Sequence, residues 1–117
     1  MKHYQAVIIS DLHLGTKDSK ADEFIEFIEK HPTDLLIMNG DIVDAWALNR
    51  GSKWKKSHTK VISKLLQLSN KTQVIWIRGN HDEFIEEFIG SRFGGVEFKE
   101  NYILNLNNGT KYFVFPR

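Results

Sequence analysis

The chain has 117 residues, of which 41% are hydrophobic and 26% are charged, and its formal net charge is +1. This composition is that of an ordinary globular domain, and it excludes the disordered and collagen-like classes. The chain has no cysteine, so thiolate nucleophiles and cysteine-based zinc or iron–sulfur sites are also excluded. We predict one domain over residues 1–117, in which any metal is held by oxygen and nitrogen ligands.

Strands and helices alternate through the first two thirds of the chain. Apolar runs predict strands at Tyr4–Ile9, Leu35–Met38 and Gln73–Ile77, and helical spacing of apolar residues predicts helices at Asp22–Lys30 and Ser57–Ser69. Two successive βαβ crossovers favour parallel strands with both faces covered. The fold class is therefore α/β, with a mixed sheet built from βαβ units.

The boundaries of the first helix carry local signals. Ser19 and Asp22 resemble a capping box at its start, and Pro32 closes it. The apolar runs of the chain are too short to cross a bilayer, and the N-terminus has no signal-peptide pattern. We therefore expect no transmembrane segment and a cytoplasmic location.

The pattern changes after Asp82. Glu83–Ile89 predicts a short helix, and three further strands follow at Val96–Phe98, Tyr102–Leu106 and Lys111–Phe115. The turn Asn-Asn-Gly at 107–109 is a strong hairpin signal between the last two of these strands.

Polar clusters come directly after the three buried strands, at Ser10–His13, at Asn39–Asp41 with Asp44, and at Arg78–Asp82. In open α/β sheets, ligands bind at the carboxyl ends of the strands, so residues distant in sequence can converge there. Asp11 lies two residues before His13, so on an extended chain both point the same way and suit one metal ion.

The donor types indicate the chemistry. The two carboxylate oxygens of Asp41 could bridge two ions, and Asn80 could offer an amide oxygen. Such a set fits manganese, iron or zinc. Two ions would clamp a phosphoryl group and lower the pKa of a bound water, so we predict phosphoester hydrolysis.

Each cluster taken alone has an ordinary structural explanation. An Asp-x-His pair after a strand is often a turn or helix cap, Gly40-Asp41 is common turn chemistry, and Asn80 could occupy a left-handed turn. The occurrence of all three clusters, each behind a buried strand, favours a metal site.

Three blocks, Asp11–His13, Gly40–Asp44 and Gly79–Asp82, resemble the signature blocks of the calcineurin-like metallophosphoesterases. The stretches Gly40–Leu48 and Trp54–His58 further resemble the UDP-2,3-diacylglucosamine pyrophosphatase branch. The resemblance implies a layered α-β-β-α fold, of which this chain supplies the N-terminal portion.

The resemblance also implies a dinuclear centre. Asp11, His13 and Asp41 would bind the first metal, and Asp41 and Asn80 the second, with manganese expected and iron or zinc as alternatives. The family's later His-Gly-Asp and Gly-His-x-His blocks are missing from this sequence. The second metal should then be weak or absent unless a symmetry-related chain, phosphate or water fills its shell. A truncated, catalytically inactive metal-binding fragment is the alternative to an active enzyme.

The same resemblance assigns His81 to the phosphate or the leaving group and Asp82 to orienting it. Asp82 could equally cap the helix that follows. Arg78 could neutralise a phosphate, but an ion pair with a carboxylate is as common at a strand end. The remaining histidines, His3, His31 and His58, are expected at the surface.

The expected substrate is a phosphodiester or pyrophosphate, including a UDP-2,3-diacylglucosamine-like nucleotide-sugar lipid met at the membrane surface. Lys53–Lys56 with Lys60 could form a nucleic-acid patch, but a solvated face is the better explanation at this net charge, so no nucleic acid is expected. The last hairpin should expose apolar strand edges and favour self-association.

Overall fold

The computed structural model describes residues 3–79 and 87–115. Three helices and seven strands are assigned within these ranges. In chain order they are β1 (Tyr4–Ile9), α1 (Ala21–Lys30), β2 (Thr33–Asn39), α2 (Ala45–Asn49), α3 (Lys56–Leu68), β3 (Gln73–Ile77), β4 (Arg92–Phe93), β5 (Val96–Lys99), β6 (Tyr102–Asn105) and β7 (Lys111–Val114).

The larger sheet has five strands in the order β1-β2-β3-β5-β4. Strands β1, β2, β3 and β5 are parallel, and β4 runs antiparallel to β5. Strands β6 and β7 form a separate antiparallel pair. The α/β prediction with a mixed sheet of βαβ units is confirmed.

The central strands read as nearly continuous apolar runs because both faces of the sheet are covered. On one face, Leu36, Met38 and Trp76 pack with Phe24 of α1 and Val61 of α3. Side chains alternate along a strand, so the intervening residues face the other way.

On the opposite face, Leu35, Ile37 and Ile75 pack against Leu104 of β6 and Val114 of β7. The described residues therefore form three layers, which are helices, the five-stranded sheet and the β6–β7 pair. The predicted hairpin is confirmed, and its turn is closed by Gly109, whose N–H donates to the Leu106 carbonyl at 3.0 Å.

The predicted capping box at the start of α1 is wrong. The helix begins at Ala21, its N-cap is Lys20, and no side chain caps it. The Ser19 hydroxyl instead lies 2.8 Å from Nε2 of His58, so a tertiary hydrogen bond has displaced the local one.

Two short elements were not predicted. Helix α2 has five residues and depends on its N-cap, where Asp44 Oδ1 accepts from the Ala47 N–H at 2.8 Å. Strand β4 has two residues, which is too short for any periodicity to be read. Most of the predicted helix Glu83–Ile89 lies outside the described residues.

The outer face of the β6–β7 pair is apolar and open to solvent. Ile103 and Phe113 are cross-strand partners, and they are 51% and 61% exposed. Phe115 stacks on Phe113 with ring centroids 6.3 Å apart. Over residues 3–79 and 87–115, no helix is both long and apolar enough to cross a bilayer.

The layered packing predicts unequal costs for truncating two isoleucines. Ile37 is fully buried between the two sheets, so Ile37→Ala should lower the free energy of unfolding by about 2–5 kcal/mol. Ile8 of β1 is 47% exposed, and Ile8→Ala should cost about 1 kcal/mol or less. Urea unfolding of both variants tests this, and equal losses would contradict the assigned layers.

Candidate metal centre

The first two polar clusters meet at the carboxyl ends of the parallel strands. The Asp11 N–H donates to the Gly40 carbonyl at 3.2 Å, and the His13 N–H donates to the Asp41 carbonyl at 3.0 Å. The Gly40 N–H in turn donates to the Ile77 carbonyl at 2.8 Å. The segments after β1, β2 and β3 are thus joined through their backbones.

Apolar residues next to the predicted metal ligands hold this edge of the sheet in place. Leu12, Leu14 and Ile42 are buried in the core on the helical side of the sheet. The Asp11 and His13 side chains stay partly exposed, at 41% and 34%. Because buried and polar residues alternate, Asp11 and His13 point away from the core, while Leu12 and Leu14 anchor the segment in it.

The backbone at the predicted ligands has an uncommon conformation. Within the described ranges, the non-glycine residues with positive φ are Asp11 (60°), His13 (51°) and Asp41 (54°). A left-handed conformation costs an L-residue about 1–2 kcal/mol. Such residues cluster at functional sites, where the surrounding structure holds them. All three are residues for which the sequence predicts metal binding.

The imidazole of His13 lies between two carboxylates. Its Nε2 is 3.8 Å from Asp11 Oδ1, and its Nδ1 is 3.5 Å from Asp44 Oδ2. Asp44 is only 5% exposed, and its other oxygen caps α2. A carboxylate behind an imidazole fixes the tautomer and orientation of a metal-binding histidine. Sequence reasoning placed Asp44 in the cluster but assigned it no role.

Gly79 explains how the end of β3 reaches the same place. A Cβ at this position would lie 2.5 Å from the Asp41 backbone nitrogen and 2.7 Å from Asp41 Oδ1. Only glycine permits this approach without a shift of the Asp41 turn. Asn80 follows Gly79 directly in the chain, but the predicted site residues Asn80, His81 and Asp82 lie outside the described residues.

The donors present fit a divalent cation in chemical type. In residues 3–79 and 87–115 there is no group of three or more His, Asp or Glu side chains close enough to hold an ion. Asp11, His13 and Asp41 nevertheless bring carboxylate oxygens and an imidazole nitrogen to one edge, which suits manganese, iron or zinc. The Asn39 Oδ1 atom beside them is buried and has no hydrogen-bond partner in the described part of the chain.

Arg78 forms the ion pair that was the alternative to phosphate binding. Its Nη2 lies 3.1 Å from Glu100 Oε1, and its Nε lies 3.4 Å from Glu100 Oε2. This two-point contact ties the end of β3 to the connection between β5 and β6.

The expectation that His58 lies at the surface is wrong. Its side chain is fully buried. Nδ1 accepts from the backbone N–H of Gly15 at 3.0 Å and of Lys55 at 3.2 Å, and Nε2 contacts the Ser19 hydroxyl at 2.8 Å. Its three polar partners explain how a histidine can be buried here. His3 and His31 make exposed contacts, as expected.

Burial lowers the pKa of His58 below its ordinary value, and the nearby positive charge of Lys55 lowers it further. The negative charge of Asp22 acts in the opposite direction. An Nδ1 atom that accepts two N–H bonds carries no proton, so the neutral ring holds its proton on Nε2 and donates to Ser19.

Comparisons with known proteins agree with this architecture. A family model described as calcineurin-like phosphoesterase matches residues 4–116. A protein named UDP-2,3-diacylglucosamine hydrolase from Shewanella halifaxensis (strain HAW-EB4) is 27% identical over 106 residues, covering 87% of this chain and 43% of that protein. A protein of the same name from Shewanella pealeana (strain ATCC 700345 / ANG-SQ1) is 28% identical over the same coverage.

Solved structures share the fold. The crystal structure of the Pseudomonas putida nuclease MPE aligns with a TM-score of 0.50 at 18% identity, covering 86% of this chain and 50% of that one. The chain therefore spans less than half the length of the curated relatives and half of this structure.

The contact between Gly79 and Asp41 predicts a site-specific defect in Gly79→Ala. The added methyl group should displace the Asp41 turn and weaken Mn²⁺ binding about tenfold or more. Gly109→Ala is the control, because Gly109 has φ of +88° but no neighbouring atom within 4 Å. That variant should lose stability and keep its Mn²⁺ affinity. Calorimetric titration with Mn²⁺ measures both affinities. Equal affinities in the two variants would contradict the predicted clash between a side chain at position 79 and Asp41.

The buried neutral state of His58 predicts a pH dependence of stability. Its pKa is lower in the folded than in the unfolded chain, so the unfolded chain binds more protons between the two values. Stability should therefore fall as the pH drops below about 6.5, the ordinary histidine value. Urea unfolding at several pH values should show a shallower fall for His58→Asn. Identical pH profiles would contradict the assignment.

Proposed function

Because the chain belongs to the calcineurin-like phosphoesterase family, we propose that it hydrolyses a phosphodiester or pyrophosphate bond at a metal centre built on the ends of β1, β2 and β3. The observation that carries the proposal is the meeting of Asp11, His13 and Asp41, each held at positive φ, on one edge of the sheet. The burial of the intervening leucines supports a site formed by the fold rather than a chance surface cluster.

The proposed ligands are Asp11, His13 and Asp41 for one ion, and Asp41 with Asn80 for a second. Members of the family generally use divalent metal ions, and manganese is our first candidate, with iron or zinc next. Bound ions would supply charge neutralisation for the phosphoryl group and a water of lowered pKa. Asp41 suits the shared position because its two carboxylate oxygens can face different ions.

Side chains of the protein would orient the histidines of the site and protonate the leaving group. Asp44 Oδ2 lies 3.5 Å from Nδ1 of His13. A proton on Nδ1 that faces this carboxylate would leave Nε2 available to a metal ion. We assign His81 to the phosphate or to the protonation of the leaving group, and Asp82 to orienting His81. A histidine held by a carboxylate has a defined tautomer and a raised pKa, as a general acid requires.

A nucleotide-sugar lipid is the first substrate class to test. The curated relatives are named UDP-2,3-diacylglucosamine hydrolases, and this substrate carries a pyrophosphate link. Trp46 and Trp54 are 44% and 41% exposed, and Lys53, Lys55 and Lys56 lie beside Trp54 in sequence. Indole rings with lysines suit the interface of an anionic membrane, so we propose peripheral membrane contact from the cytoplasmic side.

The second candidate is a metal-binding chain without turnover. It is favoured by the lack, within residues 3–79 and 87–115, of any group of three or more His, Asp or Glu side chains close enough to hold an ion. The open apolar face at Ile103, Phe113 and Phe115 further favours self-association, through which a second chain could supply ligands.

Asp41→Asn tests the proposal without disturbing the backbone. Asparagine tolerates positive φ and keeps the side-chain shape, so the variant removes the charge alone. Mn²⁺-dependent hydrolysis of bis-p-nitrophenyl phosphate should fall at least about 100-fold, because one shared ligand serves both ions. Asp34→Asn is the control, since Asp34 is exposed and pairs with His3.

The metal content after reconstitution separates the two candidates. Two Mn²⁺ ions per chain with Asp41-dependent turnover support the hydrolase. One ion without turnover supports the inactive metal-binding chain. Turnover in Asp41→Asn within about threefold of the wild type would contradict the proposed centre.

A further inference from the structure

His58 connects helix α3 to the segment that follows the proposed ligand His13. It lies in the first turn of α3, and its Nδ1 accepts from the Gly15 and Lys55 N–H groups. Its Nε2 side is bonded to Ser19. The ring therefore spans both ends of the segment 15–19, which begins two residues after His13.

The segment 15–19 has other contacts as well, including one from Lys55 Nζ, which donates to the Lys17 carbonyl at 3.3 Å. The Thr16 N–H and hydroxyl both contact the His13 carbonyl, at 3.1 and 2.8 Å, so they hold the turn to itself. Gly15 has φ of +99° and lies so close to Leu48 of α2 that a Cβ would meet it at 2.8 Å. The segment thus lies between α2 and α3, and His58 is its buried polar link to α3.

The His13 backbone is held from both sides: its N–H donates to the Asp41 carbonyl at 3.0 Å, and the chain beyond it turns at Thr16. A left-handed histidine persists only where its surroundings hold it. The His13 carbonyl accepts both contacts from Thr16, and Gly15 is fixed by the His58 ring. If Gly15 were released, the support on the C-terminal side of His13 would be weakened, and only the bonds to the Asp41–Ile42 segment would remain to hold its backbone.

We infer that His58 is a positioning residue, whose Nδ1 atom fixes Gly15 and thereby holds His13 in the conformation that presents its imidazole at the metal centre. The inference rests on the proposed function for the role of His13, but the contacts of His58 do not depend on it. A buried imidazole needs polar partners in any case, and here one of them, the Gly15 N–H, lies two residues after His13.

Two substitutions of His58 distinguish the role of its Nδ1 atom from that of its Nε2 atom. The amide oxygen of His58→Asn can replace Nδ1 as the acceptor for Gly15, whereas His58→Gln reaches farther and places its amide near Nε2 and Ser19. His31→Asn is the matched control, because His31 is partly exposed and its ring contacts Phe27 at the end of α1, through the Phe27 carbonyl and by stacking.

We expect His58→Gln to bind Mn²⁺ at least about tenfold more weakly, and His58→Asn and His31→Asn to stay within about threefold of the wild type. Hydrogen exchange provides a readout that needs no metal. The Gly15 amide should lose protection in His58→Gln and keep it in His58→Asn, while thermal midpoints identify any global loss of stability.

Equal Mn²⁺ affinities in the Gln and Asn variants, with Gly15 still protected in both, would overturn the inference. If the wild type binds no Mn²⁺, the proposed function fails, and the exchange of Gly15 still decides whether Nδ1 fixes the segment. If His58→Gln does not fold, His58→Asn decides alone. A tenfold loss of Mn²⁺ affinity with Gly15 protected would then overturn the inference, and retained affinity would support it.

Discussion

The close approach of three chain segments at Gly40-Asp41 is the constraint on which the site depends. The Gly40 N–H bonds to the end of β3, the Gly40 and Asp41 carbonyls accept from the segment after β1, and Gly79 leaves no room for a side chain against Asp41. Each contact is made by backbone atoms, so the site is fixed by the sheet geometry and needs only the correct side chains on it.

The same geometry links the core to the chemistry. Strand β2 lies between β1 and β3, and its residues alternate between the helical layer and the β6–β7 pair before the chain turns at Gly40. Packing on both faces sets the position of the strand end to within the tolerance of a close-packed interior. Because Asp41 follows β2 so closely, a packing defect between the layers would also move a ligand.

Much of the fold follows from the sequence because its signals are local. The apolar runs of β1, β2 and β3 identify parallel strands of the sheet, and Asn-Asn-Gly identifies the last hairpin. The edge of the sheet where Asp11, His13 and Asp41 meet follows from parallel topology alone. The remaining predicted site residues, Asn80, His81 and Asp82, stay predictions.

The parts that could not be predicted depend on distant partners. Ser19 has the right spacing for a helix cap, yet its hydroxyl is used by His58 from another helix. The sequence neighbours of His58 are polar, and only the fold shows that two backbone N–H groups donate hydrogen bonds to its ring. Helix α2 and strand β4 are too short for periodicity to reveal them.

The left-handed backbone at Asp11, His13 and Asp41 creates a conflict in evolution between the stability of the fold and the binding function of these side chains. Glycine at any of these positions would relieve the conformational penalty, but it would remove a donor. A population selected for stability alone would therefore drift toward glycine or asparagine at these three positions. Retention of aspartate and histidine there would be a record of selection for what the side chains bind.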